Sequence, residues 1–323
     1  MTTKIGDKKE DIIYAAKLLK EGELVAFPTE TVYGLGGNAL DKSEAKKIYA
    51  VKGRPSDNPL IVHLSRWEDV YAVAYPTAEA KALYDAFCPG PLTMILKKLP
   101  IVPDETTGGR DTVAIRFPSH PIARELISLA GVPIAAPSAN VSKHVSPTSA
   151  FHVYNDLNGR IPLILEGGDS DVGIESTIVD LTGAEPVVLR PGAITAEQIK
   201  GVLGSADYFH GEVKEALAPG MKYKHYSPSV PCYLVKREGL DAAYSSLEGK
   251  GVKAVVIARE EVAKSFTRAI SLGGSAKDAQ HRIYGALREA EKFDAAIIED
   301  LSDKKEFFAA MDRIKKATGG NVL

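Results

Sequence analysis

The sequence predicts an α/β protein in two parts, an open twisted sheet followed by a smaller α/β unit. Three observations predict it. Short apolar, β-prone runs recur up to about residue 205, and nearly every one ends in a polar loop. The 323 residues exceed the ~250–300 that one hydrophobic core usually organises. From Val230 onward, strand-like and helix-like segments alternate more cleanly than before.

Lys8 to Glu21 carries apolar residues at Ile12, Ala15, Ala16 and Leu19, a helical period, and Gly22 supplies a stop. Leu24–Phe27 reads as a short buried strand. The loop Pro28-Thr29-Glu30-Thr31-Val32-Tyr33-Gly34-Leu35-Gly36-Gly37 follows. Its glycines allow close backbone approach and its hydroxyls offer donors and acceptors, but the spacing is not that of a dinucleotide fingerprint. Asp41 or Ser43 can cap a helix through Val51, which delivers Lys52 at its end.

Lys52-Gly53-Arg54-Pro55-Ser56-Asp57-Asn58-Pro59 then presents two cations and an amide from a stiff turn, because proline fixes the backbone and bars a helix. Ile61-Val62-His63 behind it reads as a strand. A helix is expected at Glu79–Phe87, a strand at Leu92–Lys97, a loop at Thr107–Asp111 and a strand at Thr112–Phe117. Arg116, inside that apolar strand, needs an anionic partner if it is buried. Pro121–Leu129 reads as a helix with proline in its first turn. Pro133–Pro137 is a strand ending in Ser138-Ala139-Asn140, and the loop Ser142–Thr148 holds Ser146. Strands at Pro162–Glu166, Thr177–Leu181 and Val187–Leu189 and a helix from Thr195 to Leu203 complete a first domain, 1–205.

Residues 206–229 have no periodicity and read as a linker, and a structureless connection of that length is more often functional than idle. The second domain, 230–323, has strands at Cys232–Val235, Lys253–Ile257, Thr267–Leu272 and Ala295–Glu299, with helices at Leu240–Leu247, Lys277–Lys292 and Lys305–Ala317. This is a small Rossmann-like α/β unit without a phosphate-binding loop, Gly273-Gly274-Ser275 being simply a helix cap.

Composition narrows the function. With 45% hydrophobic and 25% charged residues the chain is ordinary for a globular protein. A net charge of −2 argues against holding nucleic acid through a bulk field and leaves room for a local basic site. Met1–Asp11 lacks the apolar core of a signal peptide, and no apolar run reaches the ~20 residues of a membrane helix. A cytoplasmic location is expected, with Cys88 and Cys232, far apart and without a CxxC partner, as free thiols.

No GxxxxGK[ST], HExxH, GxSxG or EF-hand pattern occurs, and the seven histidines are scattered, so no protein-only metal cage is expected. What remains is a set of basic and hydroxyl groups in loops: Lys52, Arg54, Arg110, Arg116, Ser138, Asn140, Ser146, Ser176 and Arg190. Each alone is an ordinary surface or structural group. Their shared placement at strand ends is where open α/β sheets bind ligands, and their chemistry suits a polyphosphate, arginine as a fork and lysine as a point charge.

Lys52-x-Arg54 with Ser138-x-Asn140 resembles the KxR…SxN signature of YrdC-like proteins. The resemblance extends through Pro28–Leu35, Asn58-Pro59-Leu60, Cys88–Thr93, Ala135–Asn140, Ser176–Asp180 and Leu189–Gly192, covering nearly all of residues 10–204. His225-Tyr226-Ser227-Pro228 and the second domain resemble the long, two-domain form of the threonylcarbamoyl-AMP synthase family. That resemblance implies a YrdC-like mixed sheet and an enzyme, a nucleotidyltransferase joining L-threonine, bicarbonate or carbon dioxide and ATP into threonylcarbamoyl-AMP and pyrophosphate. It implies ATP contacts at Lys52, Arg54, Asn58, Thr112, Ser138, Asn140, Ser146, Arg190 and Tyr226, with Lys52 and Arg54 catalytic. Threonine contacts are implied at Thr31, His63, Arg116, Ala136 (through its backbone) and Ser176, with Mg2+ carried by the ATP phosphates. The product would pass to a tRNA threonylcarbamoyl transferase, with weak tRNA contact possible and no membrane involved. The linker around Tyr226 is expected to fold over the nucleotide as a lid.

A YrdC-like sheet could instead hold double-stranded RNA or tRNA without chemistry, or serve carbamoyl transfer as in hydrogenase-maturation proteins. The net charge of −2 weakens the first alternative. No accompanying zinc-finger or acylphosphatase-like region is visible in the sequence for the second.

Overall fold

Short strands that alternate side chains between two faces build the larger of two units in the computed structural model, which describes residues 2–211, 218–219 and 226–321. The larger unit comprises Met1–Ser142, Pro147–Asp171 and Glu175–Tyr223, the smaller one Lys143–Ser146, Val172–Ile174 and Lys224–Leu323. In the larger unit the strands are β1 (Lys4–Gly6), β2 (Val25–Phe27), β3 (Gly34–Asn38), β4 (Ile61–His63), β5 (Leu92–Lys97), β6 (Thr112–Arg116), β7 (Ile134–Ala135), β8 (Leu163–Leu165), β9 (Thr177–Asp180), β10 (Val187–Arg190) and β11 (Asp207–Tyr208). They pair as one mixed sheet in the order β1-β8-β2-β3-β7-β4-β6-β5-β9-β10-β11.

One face is closed by a large core that includes Val62, Met94, Val113, Ile115 and Val179. On the other, helix α1 (Lys9–Lys20) packs Ile12, Ala15 and Leu19 against Leu126, Ile127 and Ala130 of the helix Pro121–Ala130. Further along that second face, Ile61, Ile95, Ala114 and Ile178 form a small apolar floor with Leu189 and Ala218. Among the described residues no helix is long and apolar enough to cross a membrane.

Most expected elements are present within a residue or two. Three differences have physical causes. The glycines of the 28–37 loop lie in β3, paired antiparallel with β2 and β7, because their neighbours leave no room for side chains. A Cβ on Gly36 would stand 2.8 Å from the Phe27 ring and 2.9 Å from Ile134. The helix Ala150–Leu157, capped by Ser149, occupies a stretch the sequence reading leaves unassigned. β1 is an edge strand whose pairing partner β8 is 158 residues away at Thr3–Ile161.

The smaller unit carries β12 (Cys232–Val235), β13 (Ala254–Ala258), β14 (Ala269–Ser271) and β15 (Ala295–Glu299) in the order β12-β15-β13-β14, all parallel. Arg259 after β13 donates to Glu299 at the end of β15 (Nε–Oε1 3.0 Å) and to Asp303 (2.9 Å). Ser275 and Asp278 form a reciprocal capping box, so the Gly273-Gly274 turn starts a helix and is occupied by the protein's own carboxylate. Of the expected linker, Asp207–Tyr208 forms β11, and residues 212–217 and 220–225 lie outside the described residues.

Gly36→Ala is expected to lower stability by about 1–3 kcal/mol through overpacking against Phe27 and Ile134. Urea titration would read this as a lower midpoint at unchanged slope.

Candidate functional site

Helix α2 (Lys42–Lys52) starts on an Asp41 cap and stops because Gly53 takes the left-handed conformation, φ 61°. Lys52 is thereby delivered into the protein, only 1% exposed. Its Nζ donates to the carbonyls of Ser138 and Asn140, the latter at 2.5 Å, and to Asn140 Oδ1 at 3.3 Å. An ammonium has three hydrogens, and these oxygens take all three. Burial first, and the nearby Arg54 second, hold its pKa well below the ordinary lysine value. The Lys52 carbonyl accepts from Ser142 N (2.8 Å), and Ser138 Oγ donates to Asn140 Oδ1 (2.5 Å). Through these bonds Lys52 ties the end of α2 to the 138–140 turn.

Arg54 is half-buried, with Nε and Nη2 on the Asn58 and Pro59 carbonyls at 3.3 and 3.1 Å. The Asn58 carbonyl also accepts from Tyr49 Oη (3.1 Å). Asn58 itself is 1% exposed, and its side-chain Oδ1 is buried without a partner. Because β7 runs antiparallel to β4, with Val62 opposite Ala135, the chain after β7 returns to the start of β4. Ser138 and Asn140 therefore lie at the same sheet end as Asn58 and the half-buried Thr112, which opens β6.

The opposite end of the same face holds a second polar group. His63 and Arg116 are register partners in β4 and β6, and Thr93 faces Arg116 from β5. Both Arg116 and His63 are buried. Arg116 Nη2 donates to Glu30 Oε1 at 2.8 Å and to Thr29 Oγ1 at 3.4 Å, while Arg116 Nε is buried with no partner. Glu30 Oε2 accepts from Ser119 N at 3.1 Å, and the Thr29 and Thr31 hydroxyls lie 2.9 Å apart. Thr93 Oγ1 pairs with Ser176 Oγ at 2.7 Å. Arg190 donates to Ser176 O (3.0 Å), Ser176 Oγ (3.1 Å) and Pro219 O (3.1 Å). Ala136 N is committed to Ile61 O at 2.9 Å, which leaves only its carbonyl.

Burial, reinforced by the Arg116 charge, drives the His63 pKa down to about 3, despite the Ile61 and Ile134 carbonyls that favour a ring proton. The imidazole is neutral at physiological pH, with Nδ1 3.0 Å from Ile61 O and the Phe27 ring edge-on at 6.2 Å.

The arrangement is thus one sheet face, polar at both ends, with the apolar floor of Ile61, Ala114, Ile95 and Ile178 between them. Thr112 and Arg116 mark the two ends of β6, about 13 Å apart at the usual strand rise. Lys52, Arg54, Asn58, Thr112, Ser138 and Asn140 gather at one end. Thr31, His63, Arg116 and Ser176 gather at the other, where Arg190 joins them instead of the first group. Ser146 and Tyr226 belong to the smaller unit. There Ser146 is buried, and Tyr226, at φ 64°, stacks on Tyr284 with centroids 5.2 Å apart. The sequence reading missed Glu30, Thr29 and Thr93. The unpaired charge of Arg116 called for a carboxylate, but nothing local in the sequence pointed to Glu30.

Two outcomes are expected. Lys52→Met keeps the apolar stem but strands the carbonyls it satisfied, and should lower stability by about 1–3 kcal/mol, read from the denaturant midpoint. For His63, the folded pKa of about 3 lies below the unfolded 6.5, so the unfolded chain takes the proton first as pH falls. This group should remove about 1.4 kcal/mol of stability per pH unit from about pH 6 downward. His63→Asn should flatten that slope in urea titrations run between pH 7 and pH 4.

Residues 17–192 match the Sua5/YciO/YrdC family, described as Telomere recombination. Residues 194–319 match the family described as Threonylcarbamoyl-AMP synthase, C-terminal domain. The chain is 42% identical over 322 residues to the threonylcarbamoyl-AMP synthase of Pyrococcus abyssi, covering 96% of this chain and 94% of that one. It is 41% identical over 339 residues to the protein of the same name from Bacillus subtilis, covering 100% and 97%. Among solved structures, P. abyssi Sua5 complexed with L-threonine superposes with a TM-score of 0.94 at 40% identity, covering 99% of each chain.

Proposed function

The chain belongs to the threonylcarbamoyl-AMP synthase family in its two-domain Sua5 form, and from that premise we propose that it joins L-threonine, carbon dioxide or bicarbonate and ATP into threonylcarbamoyl-AMP with release of pyrophosphate. One observation carries the reading. A single sheet face holds a buried arginine Nε without an acceptor at one end and a buried amide oxygen without a donor at the other. Buried polar atoms are nearly always paired, so the two orphans mark the ends of this face as places where polarity is kept at a cost to stability. The Arg116 guanidinium suits the threonine carboxylate, and the basic and hydroxyl groups gathered near Asn58 suit the nucleotide.

The chemistry needs positioning more than it needs a protein nucleophile. The threonine nitrogen adds to carbon dioxide and gives up a proton, forming a carbamate. A carbamate oxygen then attacks the α-phosphorus in line, and the bond to pyrophosphate breaks. On this reading Lys52 and Arg54 neutralise charge at the nucleotide phosphates, and Ser138 and Asn140 help orient them. Neutral His63 and the Thr31 hydroxyl offer hydrogen bonds to threonine without adding charge. Magnesium is expected with the triphosphate. It would lend charge neutralisation there.

Both carbamate and mixed anhydride hydrolyse, so water must be kept out. Arg190 reaches the linker carbonyl of Pro219, and Ala218 packs on the apolar floor. These contacts hold residues 218–219 against the sheet face; the lid over the nucleotide expected around Tyr226 involves residues 220–225, which lie outside the described residues. The product would then pass, in the cytoplasm, to a transferase that modifies the adenosine beside the anticodon of certain tRNAs.

The test is pyrophosphate release from ATP by the purified full chain, with threonine and bicarbonate each omitted in turn. Release should require both. Release indifferent to threonine would sink the reading.

A further inference from the structure

We propose that Glu30 is a positioning residue for the amino-acid carboxylate, holding the Arg116 guanidinium by Nη2 and so fixing the direction of its other terminal nitrogen, Nη1. The inference rests on the reading that threonine binds at Arg116. Glu30 is not free to wander. One carboxylate oxygen accepts from Arg116 Nη2 at 2.8 Å and the other from the Ser119 backbone N–H at 3.1 Å, and the side chains of both partners of the ion pair are almost wholly buried.

A guanidinium is a planar fork whose donors work in pairs. An ion pair built only for stability would engage as many of those donors as it can, because an unmet buried donor costs free energy. Here the pair is one-sided, and Nε has no partner although it is buried. Nε lies on the edge that Nη2 gives to Glu30 and Thr29, whereas Nη1 is not closed off and has no hydrogen bond, so Nη1 is the donor left for an incoming carboxylate. His63 and Thr93, its register neighbours, bring no competing anion.

The same pairing sets the charge of the pocket. Arg116 alone would be an uncompensated buried cation, costly to hold in one place. With Glu30 the two charges cancel before the ligand arrives. The carboxylate is then selected by the geometry of a fixed fork. A competing role, with Glu30 occupying Arg116 and weakening anion binding, predicts the opposite sign.

The experiment measures binding of L-threonine and of a non-hydrolysable ATP analogue to the full chain by calorimetry. The proteins compared are wild type, Glu30→Gln, Glu30→Asp and Arg116→Lys. Glu30→Gln should weaken threonine binding by about tenfold or more, the scale of a charge-assisted hydrogen bond, while the analogue's affinity stays within about twofold. Glu30→Asp, which keeps the charge with a shorter reach, should fall between. Threonine binding at wild-type strength or tighter in Glu30→Gln, or an equal loss for both ligands, overturns the proposal. If Glu30→Gln does not fold, Glu30→Asp decides, and wild-type threonine affinity there is the overturning result. Arg116→Lys separates the two levels. Intact threonine binding in that variant removes the amino-acid site itself, whereas its loss beside a wild-type Glu30→Gln removes only the role of Glu30.

Discussion

A buried ammonium that must find three acceptors is the constraint on which the Lys52 end of the sheet face, the proposed nucleotide end, depends. Taking a lysine charge out of water costs several kcal/mol unless its hydrogens are all met. Lys52 meets them on two carbonyls and an amide oxygen of the 138–140 turn. That demand explains why α2 must stop where it does, at left-handed Gly53. It also explains why the turn after β7 must come back to the start of β4. Arg54 and the orphaned Asn58 oxygen then lie on a frame that cannot shift without stranding the ammonium. Rigidity here serves electrostatic preorganisation, the part of catalysis a static frame can supply.

At the other end the problem is the reverse, and donor capacity is held in reserve. Arg116 is half-satisfied by Glu30, and His63 is kept neutral by burial and by the Arg116 charge. Arg190, Ser176 and Thr93 form a hydrogen-bonded path from the linker carbonyl of Pro219 to the strand residue facing Arg116. The two polar ends are joined by an apolar floor, which gives a ligand a dry middle and two wettable termini. An amino acid joined through a carbamate to an adenylate has that same polarity along its length.

Much of the fold was legible because it rests on neighbours in sequence. The Asp41 and Thr195 caps, the proline-stiffened turn from Lys52 to Pro59 and the alternating strands of the smaller unit are local, and local physics reads them. The glycines of β3 misled because a glycine-rich stretch looks the same whether it frees a loop or fits beneath a phenylalanine ring. Only the position of Phe27 and Ile134 distinguishes the two. The expected site residues came from motif and residue type, and the fold gathers most of them at the two ends of one sheet face. Arg190 nonetheless joined the amino-acid end, because β10 runs antiparallel to β9 and brings it beside Ser176.

The sequence by itself determined the residue types, the turns that present them and the family to which the chain belongs. The tertiary structure decided who satisfies whom. Lys52 and Asn140 are 88 residues apart and Arg116 and Glu30 are 86 apart. No local rule foretells that one cation would be wholly spent on the protein and the other left with an open edge. That difference follows from the strand order, which alone sets which buried charge finds its partner within the chain and which must wait for a ligand.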